Sequence, residues 1–564
     1  MLSVIARSAN LEAVPMSGFE QPGANFISSI RIPLFALLAV LATAAVSGSA
    51  DRPRDPMDRA LAHVGLERST ARFDQDDLAV FGHSEFELSF FRALHRDPWK
   101  IPSYAEAISK ELKSSARTLA PLIGYASRRV DELIRRGLIE NPATAFAKKA
   151  AEPDALASAI ISVCAEAGKP ISSEQQAKMK QAATVVPQAI ARQAATILYG
   201  TIDAYRWRQR AFATAAKRYD LHKLFKRACT SVDSDELDPE LFDLIHIVDY
   251  KSLYAGAQDL ALVIDQVVPE LKKFDGQEKF AFRWETPLGW VEINGAGNDV
   301  YPAGVKRLLT IDTGGDDTYA GGGGTLDPDN PISVLIDLRG NDTYKCDDSA
   351  APSFGAGVFG YGFLIDLAGR DTYSAVNVSQ GSGLFGVGCL LDFEGNDHYT
   401  ARLYSQGCGQ FGIGILSDIA GDDHYEGFSC IQGYGYTKGF GLLLDLAGND
   451  EYVANDTKID FPSPQTPQHN TSAAQGCGMG RRADYLDGHS LAGGIGILLD
   501  GEGDDKYSAG LFAQGVGFWF GLGMLLDDEG NDHYRGVWYV QGSGAHTGAV
   551  CWSMEPATTS TWPP

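Results

Sequence analysis

The stretch "LLDFEGNDHY", Leu390 to Tyr399, sets two aspartates five residues apart around a Gly-Asn corner, straight after a leucine pair. Once, it would be a turn. The phrase D-x-x-G-[N/D]-D-x-Y, however, runs from Asp312 to Tyr319, Asp337 to Tyr344, Asp366 to Tyr373 (Arg370 at the corner), Asp392 to Tyr399 and Asp418 to Tyr425. It continues from Asp445 to Tyr452, Asp500 to Tyr507 and Asp527 to Tyr534, and a ninth copy, "NGAGNDVY", begins at Asn294. The regular steps are 26 or 27 residues.

A second phrase fills each turn. "QGSGLFGVGCLLD" starts at Gln380 and has relatives at Gln406, Gln432 and Gln514, each seven residues after a repeat tyrosine. Fixed gaps predict stacked rungs. A unit of this size is too short for a propeller blade and fits one coil of a parallel β-solenoid, with successive backbones about 4.8 Å apart. The expectation is about nine coils over 285–550, with the aliphatic residues stacked inside and the tyrosines in a ladder. Tyr452 to Gln475 is 23 residues and Gln475 to Gly494 is 19, so inserted loops are expected at about 453–474 and 479–491, emerging close together.

Stacking turns the aspartates into two columns: Asp312, Asp337, Asp366, Asp392, Asp418, Asp445, Asp500 and Asp527, and Asp317, Asp342, Asp371, Asp397, Asp423, Asp450, Asp505 and Asp532. Like charges one rung apart repel by about 1 kcal/mol even in water. Bound cations, backbone N–H donors or raised pKa values would relieve this. Ca²⁺, which takes about six to eight oxygens, is the expected metal; the alternatives are aspartates that only close turns, or that catalyse. His398, His424 and His533 share one repeat position, either a transition-metal site or exposed lattice residues.

The corner "GGDDTYAGGGG", Gly314 to Gly324, resembles the glycine-aspartate repeats of RTX (haemolysin-type) calcium-binding proteins, which implies a secreted β-roll with Ca²⁺ between coils. The RTX coil is 18 residues; here only the step from 299 to 317 has that length. The full "QGxGxFGxGxLLDxxGNDxY" array is similar to uncharacterised bacterial extracytoplasmic repeat proteins.

The 564 residues are 44% hydrophobic, enough for a sizeable core. The formal net charge of −24 falls wholly after residue 280, where 13 basic residues face 37 acidic ones. A surface so acidic would repel nucleic acid and attract cations. Residues 1–50 read as a signal peptide, with Met16 as a possible start: Arg31 precedes an apolar run to Val46, too short for a membrane span, and Gly48 and Ala50 suit cleavage. An uncleaved anchor is the alternative. Localisation is expected to be periplasmic or secreted, with no membrane span after cleavage.

Residues 51–280 carry helical periodicity, read as an all-α domain of six to nine helices, with a break near Pro187. "YRWRQR" at Tyr205 to Arg210 suits a solvated helix face better than a nucleic-acid contact. Cys164 and Cys229 could pair. At the other end, "CWSMEPATTSTWPP" replaces the Leu-Leu-Asp phrase, so 551–564 is expected to be an irregular tail, with the array stopping mid-coil and Thr558 to Pro564 disordered.

The leading functional expectation is an exported structural and binding protein that presents a glycan or protein with a long face. The alternatives are a metal-free scaffold and a polysaccharide lyase or glycosidase sited at the inserted coil. Candidate catalytic residues there are Asp456, Asp460, His469, Arg481, Arg482, Asp484, Asp487 and His489, the densest mix of acid, base and cation in the array.

Overall fold

The computed structural model describes residues 56–70, 84–134, 141–230, 238–484 and 486–554. The expected signal peptide, Tyr485 and the expected disorder of 558–564 lie outside the described residues. The chain divides into two compact units, Met1–Arg72 and Phe73–Pro564. In the first, the helix Pro56–His63 is followed by Arg68, whose Nε lies 2.6 Å from Asp58. The second unit holds the helical domain and the repeats.

Among the described residues, eleven α-helical segments lie between Ser89 and Leu271, more than the expected range, because short loops divide several of the periodic stretches. Ser172 and Gln175 form a reciprocal capping box on Ser173–Ala183. That helix stops at Ala183, and Pro187 caps the start of the 24-residue helix Gln188–Ala211, the break foreseen from sequence. This helix packs along Tyr250–Leu271, where Gly200 brings Val263 close to its backbone. Among the described residues, no helix is long and apolar enough to cross a membrane.

An antiparallel hairpin, Ala281–Thr286 with Gly289–Asn294, opens the β region slightly earlier than expected. The chain then forms the parallel solenoid. Its long strands join the hairpin in an eleven-stranded sheet, parallel from Gly289–Asn294 onward, and the tyrosine strands build a nine-stranded one, giving nine coils. Register is strict: Gly388 lies opposite Gly362 and Gly414, and Leu390 opposite Leu364 and Leu416.

Alternation along each long strand separates two cores. In Tyr361–Asp366, Tyr361, Phe363 and Ile365 join the helices in one apolar cluster, while Leu364 joins the tyrosines inside the coil. Helices therefore cover one face of the large sheet. Polar ties pin them: Ser417 Oγ donates to Ala116 O at 3.0 Å, and buried Arg208 Nε donates to Phe359 O at 2.8 Å.

Two glycine positions decide the shape of the coil. Short strands such as Gly383–Leu384 and Gly409–Gln410 make a third wall of the coil; at the strand position of Gly388 a Cβ would sit 1.9 Å from Ser382 O, so this wall lies flat on the large sheet only over glycine. At the corner, a Cβ on Gly448 would sit 1.6 Å from Gly421 O of the preceding coil. The repeat glutamines also earn their place: Gln406 Nε2 donates to Tyr399 O at 3.2 Å and to Glu426 O at 3.1 Å, tying successive coils.

Three expectations are corrected. The irregular tail does not begin at 551: "AVCWSM" forms the strand Ala549–Met554, paired along its whole length with Leu522–Asp527, because β-pairing needs backbone rather than the Leu-Leu-Asp side chains. Cys164 and Cys229 are separate buried thiols. The acidic surface is much weaker than its formal charge, because fifteen of the 37 acidic residues of this half are repeat aspartates at most 3% exposed.

These contacts predict that Gly448→Ala costs about 1–3 kcal/mol by overpacking, whereas Gly297→Ala, whose Cβ would meet nothing closer than 3.9 Å, changes stability by under about 0.5 kcal/mol. Urea-unfolding midpoints of the two variants check this.

Candidate functional site

Each corner sets a tyrosine, a first aspartate and a second aspartate in fixed relation. The tyrosines of all nine coils stack face to face, with ring centroids 4.4 Å apart at Tyr301–Tyr319, 4.7 Å at Tyr373–Tyr399 and 5.1 Å at Tyr425–Tyr452. The expected stack of Tyr344, Tyr373, Tyr399 and Tyr425 is present.

Sequence reading missed what the phenols do. Each O–H in the first eight coils donates to the first aspartate of the next coil: Tyr344 to Asp366 at 2.6 Å, Tyr399 to Asp418 at 2.7 Å, Tyr452 to Asp500 at 2.5 Å. At the far end Tyr507 and Tyr534 share Asp527. In the ninth copy, Asn294 takes the acid's place and donates to Tyr301 Oη at 2.9 Å. The signal was present as an invariant Tyr seven residues after each buried Asp, but its partner sits one coil away.

At five corners the other oxygen of the first aspartate accepts a backbone N–H two residues on, as from Arg339 to Asp337 at 2.9 Å and Ala368 to Asp366 at 3.2 Å, whereas Oδ1 of Asp392, Asp500 and Asp527 is buried and unmatched. Where both oxygens act as acceptors, the arrangement fits the ionised form.

The second aspartate bonds backward along the stack. Asp342 N donates to Asp371 Oδ1 at 2.5 Å, Asp371 N to Asp397 Oδ1 at 2.6 Å, and Asp397 N to Asp423 Oδ1 at 2.6 Å. The other oxygen has no protein partner: Oδ2 of Asp317, Asp342, Asp371, Asp397, Asp423, Asp450 and Asp505 is buried and unmatched. It faces the first aspartates. Carboxylate oxygens of Asp342, Asp366 and Asp371 lie within 4.8 Å of one another, as do those of Asp371, Asp392 and Asp397.

Burial pushes these carboxyls upward, and neighbouring carboxylates add to the rise. Asp366 rises to about 6 and Asp371 to about 10; Asp418 rises to about 6 and Asp423 to about 10. In both pairs the member with more donors holds its charge more easily. The order is not uniform along the stack: at the first corner Asp312 rises to about 8 and Asp317 to about 6, and burial pushes Asp337, Asp392 and Asp500 well above the ordinary carboxyl range. Two full charges in such a dry pair would cost several kcal/mol, so each pair calls for a proton or a cation between its oxygens. Three converging carboxylates, of which Asp342 and Asp371 each keep an oxygen without a protein partner, suit a hard divalent cation.

The inserted loops do not merge. In the first, Asp456 Oδ2 lies 2.6 Å from His469 Nδ1, and Asp460 pairs with Arg402 at 2.7 Å. In the second, Arg481 pairs with Asp487 at 2.7 Å and Arg482 with Asp484 at 2.8 Å, while His489 packs on Phe242 and Leu491 bridges to Glu85. The first insert thus lies beside Arg402, the second against the helical domain. His398 and His424 stack at 4.5 Å, with His424 Nδ1 3.0 Å from Glu451; Glu451 and Lys506 separate this pair from His533.

The raised carboxyls set a pH dependence. A carboxyl whose folded pKa lies above its ordinary value binds more protons in the native state, so the stability it confers is full below about pH 4 and lost as pH rises through the folded value. With Asp342 and Asp397 raised to about 8, the melting temperature in chelator is expected to fall between about pH 5 and about pH 8. Asp397→Asn should make that fall shallower. A flat profile would mean the pairs are not buried acids.

Compared with protein-family models, curated proteins and solved structures, the chain matches none.

Proposed function

We propose that this is an exported structural and binding repeat protein whose coils are held by Ca²⁺ along the paired aspartates. The observation that carries the reading is the row of buried, unmatched Oδ2 atoms on the second aspartates, each close to two further carboxylates. One divalent ion per coil would neutralise two aspartates. The residues that would hold it are, for one step, Asp342, Asp366 and Asp371, repeated along the stack. The bound ion would supply charge neutralisation and a cross-link between coils.

The binding role rests on the free face. Outward residues of the nine-stranded sheet are exposed one after another, including Thr318, Thr343, Thr372 and His398, whereas the large sheet is covered by helices. A long, regular, polar face suits a glycan or an extended protein surface. The apolar run before residue 47 supports export.

A second reading has its own support: protons in place of cations. Carboxylate oxygens of Asp299, Asp312 and Asp317 lie within 4.8 Å of one another, and a proton held between two of them would relieve the repulsion as an ion would. The solenoid would then be a metal-free scaffold.

Melting curves with Ca²⁺ and with chelator separate the two. A site filled at a thousandfold excess over its Kd adds about 4 kcal/mol. Millimolar Ca²⁺ is expected to raise the melting temperature, and the double variant Asp397→Asn, Asp423→Asn to reduce that rise. No shift, with no metal in the purified protein, would leave shared protons as the account.

A further inference from the structure

The outward face of the nine-stranded sheet carries one cluster that neither the aspartate columns nor the helices use. His398 and His424 are register partners on adjacent coils, with rings parallel to within 4° and centroids 4.5 Å apart. Glu426 follows His424 two residues along the same strand and therefore stands on the same side of the sheet. Glu451 is the register partner of His424 on the following coil.

Two outer hydrogen bonds decide which atoms are left over. His424 Nδ1 lies 3.0 Å from Glu451 Oε2, and because a carboxylate oxygen only accepts, Nδ1 carries the proton. In the neutral ring the lone pair is then on Nε2. Glu426 Oε1 accepts from Asn455 Nδ2 at 2.8 Å, which leaves Oε2. These two atoms, His424 Nε2 and Glu426 Oε2, stand 3.8 Å apart. The exposed His398 ring makes no hydrogen bond among the described residues, so its rotation toward them breaks none.

We propose that His398, His424 and Glu426 form a surface site for a divalent ion of the Zn²⁺ or Cu²⁺ class, with Glu451 as the positioning residue. Imidazole nitrogen selects such ions over Ca²⁺ and Mg²⁺, which take oxygen. Two donors about 2.1 Å from one ion at the tetrahedral angle are about 3.4 Å apart. The pair at 3.8 Å must therefore close by about 0.4 Å, within reach of side chains 27% and 32% exposed. A carboxylate on the far nitrogen of a ligating imidazole fixes its tautomer and raises its basicity, which is the relation of Glu451 to His424. Three protein donors leave a fourth position open to solvent, for water. His533 shares the column, but its register partner is Lys506, whose ammonium repels a cation, so the site is confined to the His398–His424 step.

The test is a calorimetric titration of the full chain, carrying Cys430→Ser, with Zn²⁺ in a buffer holding millimolar Ca²⁺. One Zn²⁺ per chain is expected. His398→Ala should weaken binding by about tenfold or more and Glu451→Ala by about tenfold, whereas His533→Ala leaves the affinity unchanged. With Cu²⁺ in place of Zn²⁺, the electron paramagnetic resonance spectrum should show coupling to two imidazole nitrogens, and to one in His398→Ala. Should His398→Ala fail to fold, His398→Gln carries the same expectations. No uptake of Zn²⁺, equal affinity with and without His398, or a copper spectrum without nitrogen coupling would overturn the proposal.

Discussion

The hydrogen bond from a tyrosine of one coil to a buried aspartate of the next is the contact on which the rest of this molecule depends. It links successive coils side chain to side chain, between sheets that are already linked backbone to backbone. It also explains why an acid can sit inside. Asp366 receives the Tyr344 phenol on one oxygen and the Ala368 amide on the other, so its desolvation is partly offset by charge-assisted bonds. The second aspartate has only one such bond, and that asymmetry creates the chemistry of the column.

Shape follows from the same contact. For the phenol to reach the next coil's carboxylate, coils must stack without slip. The corner glycines permit this because the carbonyl of one coil lies where a Cβ of the next would be. The strand glycines let the third wall close over the Leu and Tyr ladders. Outside, the helices press on Tyr361, Phe363, Ile365 and their equivalents, so the large sheet is buried on both faces.

Much of this was legible in the chain. A fixed spacing from Tyr399 to Gln406 and from Tyr425 to Gln432 could only persist if coils repeat in register, and the nine coils and the tyrosine ladder followed. Less could be read of the site. Sequence placed the two Asp columns but not their burial, because a turn aspartate is usually exposed and the closure of the third wall is a property of the assembled coil. For the same reason the formal charge suggested an acidic surface, where most of the excess is internal. The inserts around His469 and Arg481 were expected together, but sequence distance does not say which wall of a coil an insert leaves from.

The central claim is that each buried pair is neutralised between its two carboxyls. An atomic-resolution crystal structure grown with Ca²⁺ tests it most directly. The account predicts a metal peak bounded by Asp342, Asp366 and Asp371 and again at the equivalent steps, or, where metal is missing, one carboxyl with unequal C–O bonds hydrogen-bonded to its neighbour. Two carboxylates with equal C–O bonds facing one another across an ordered water, at corner after corner, would contradict it.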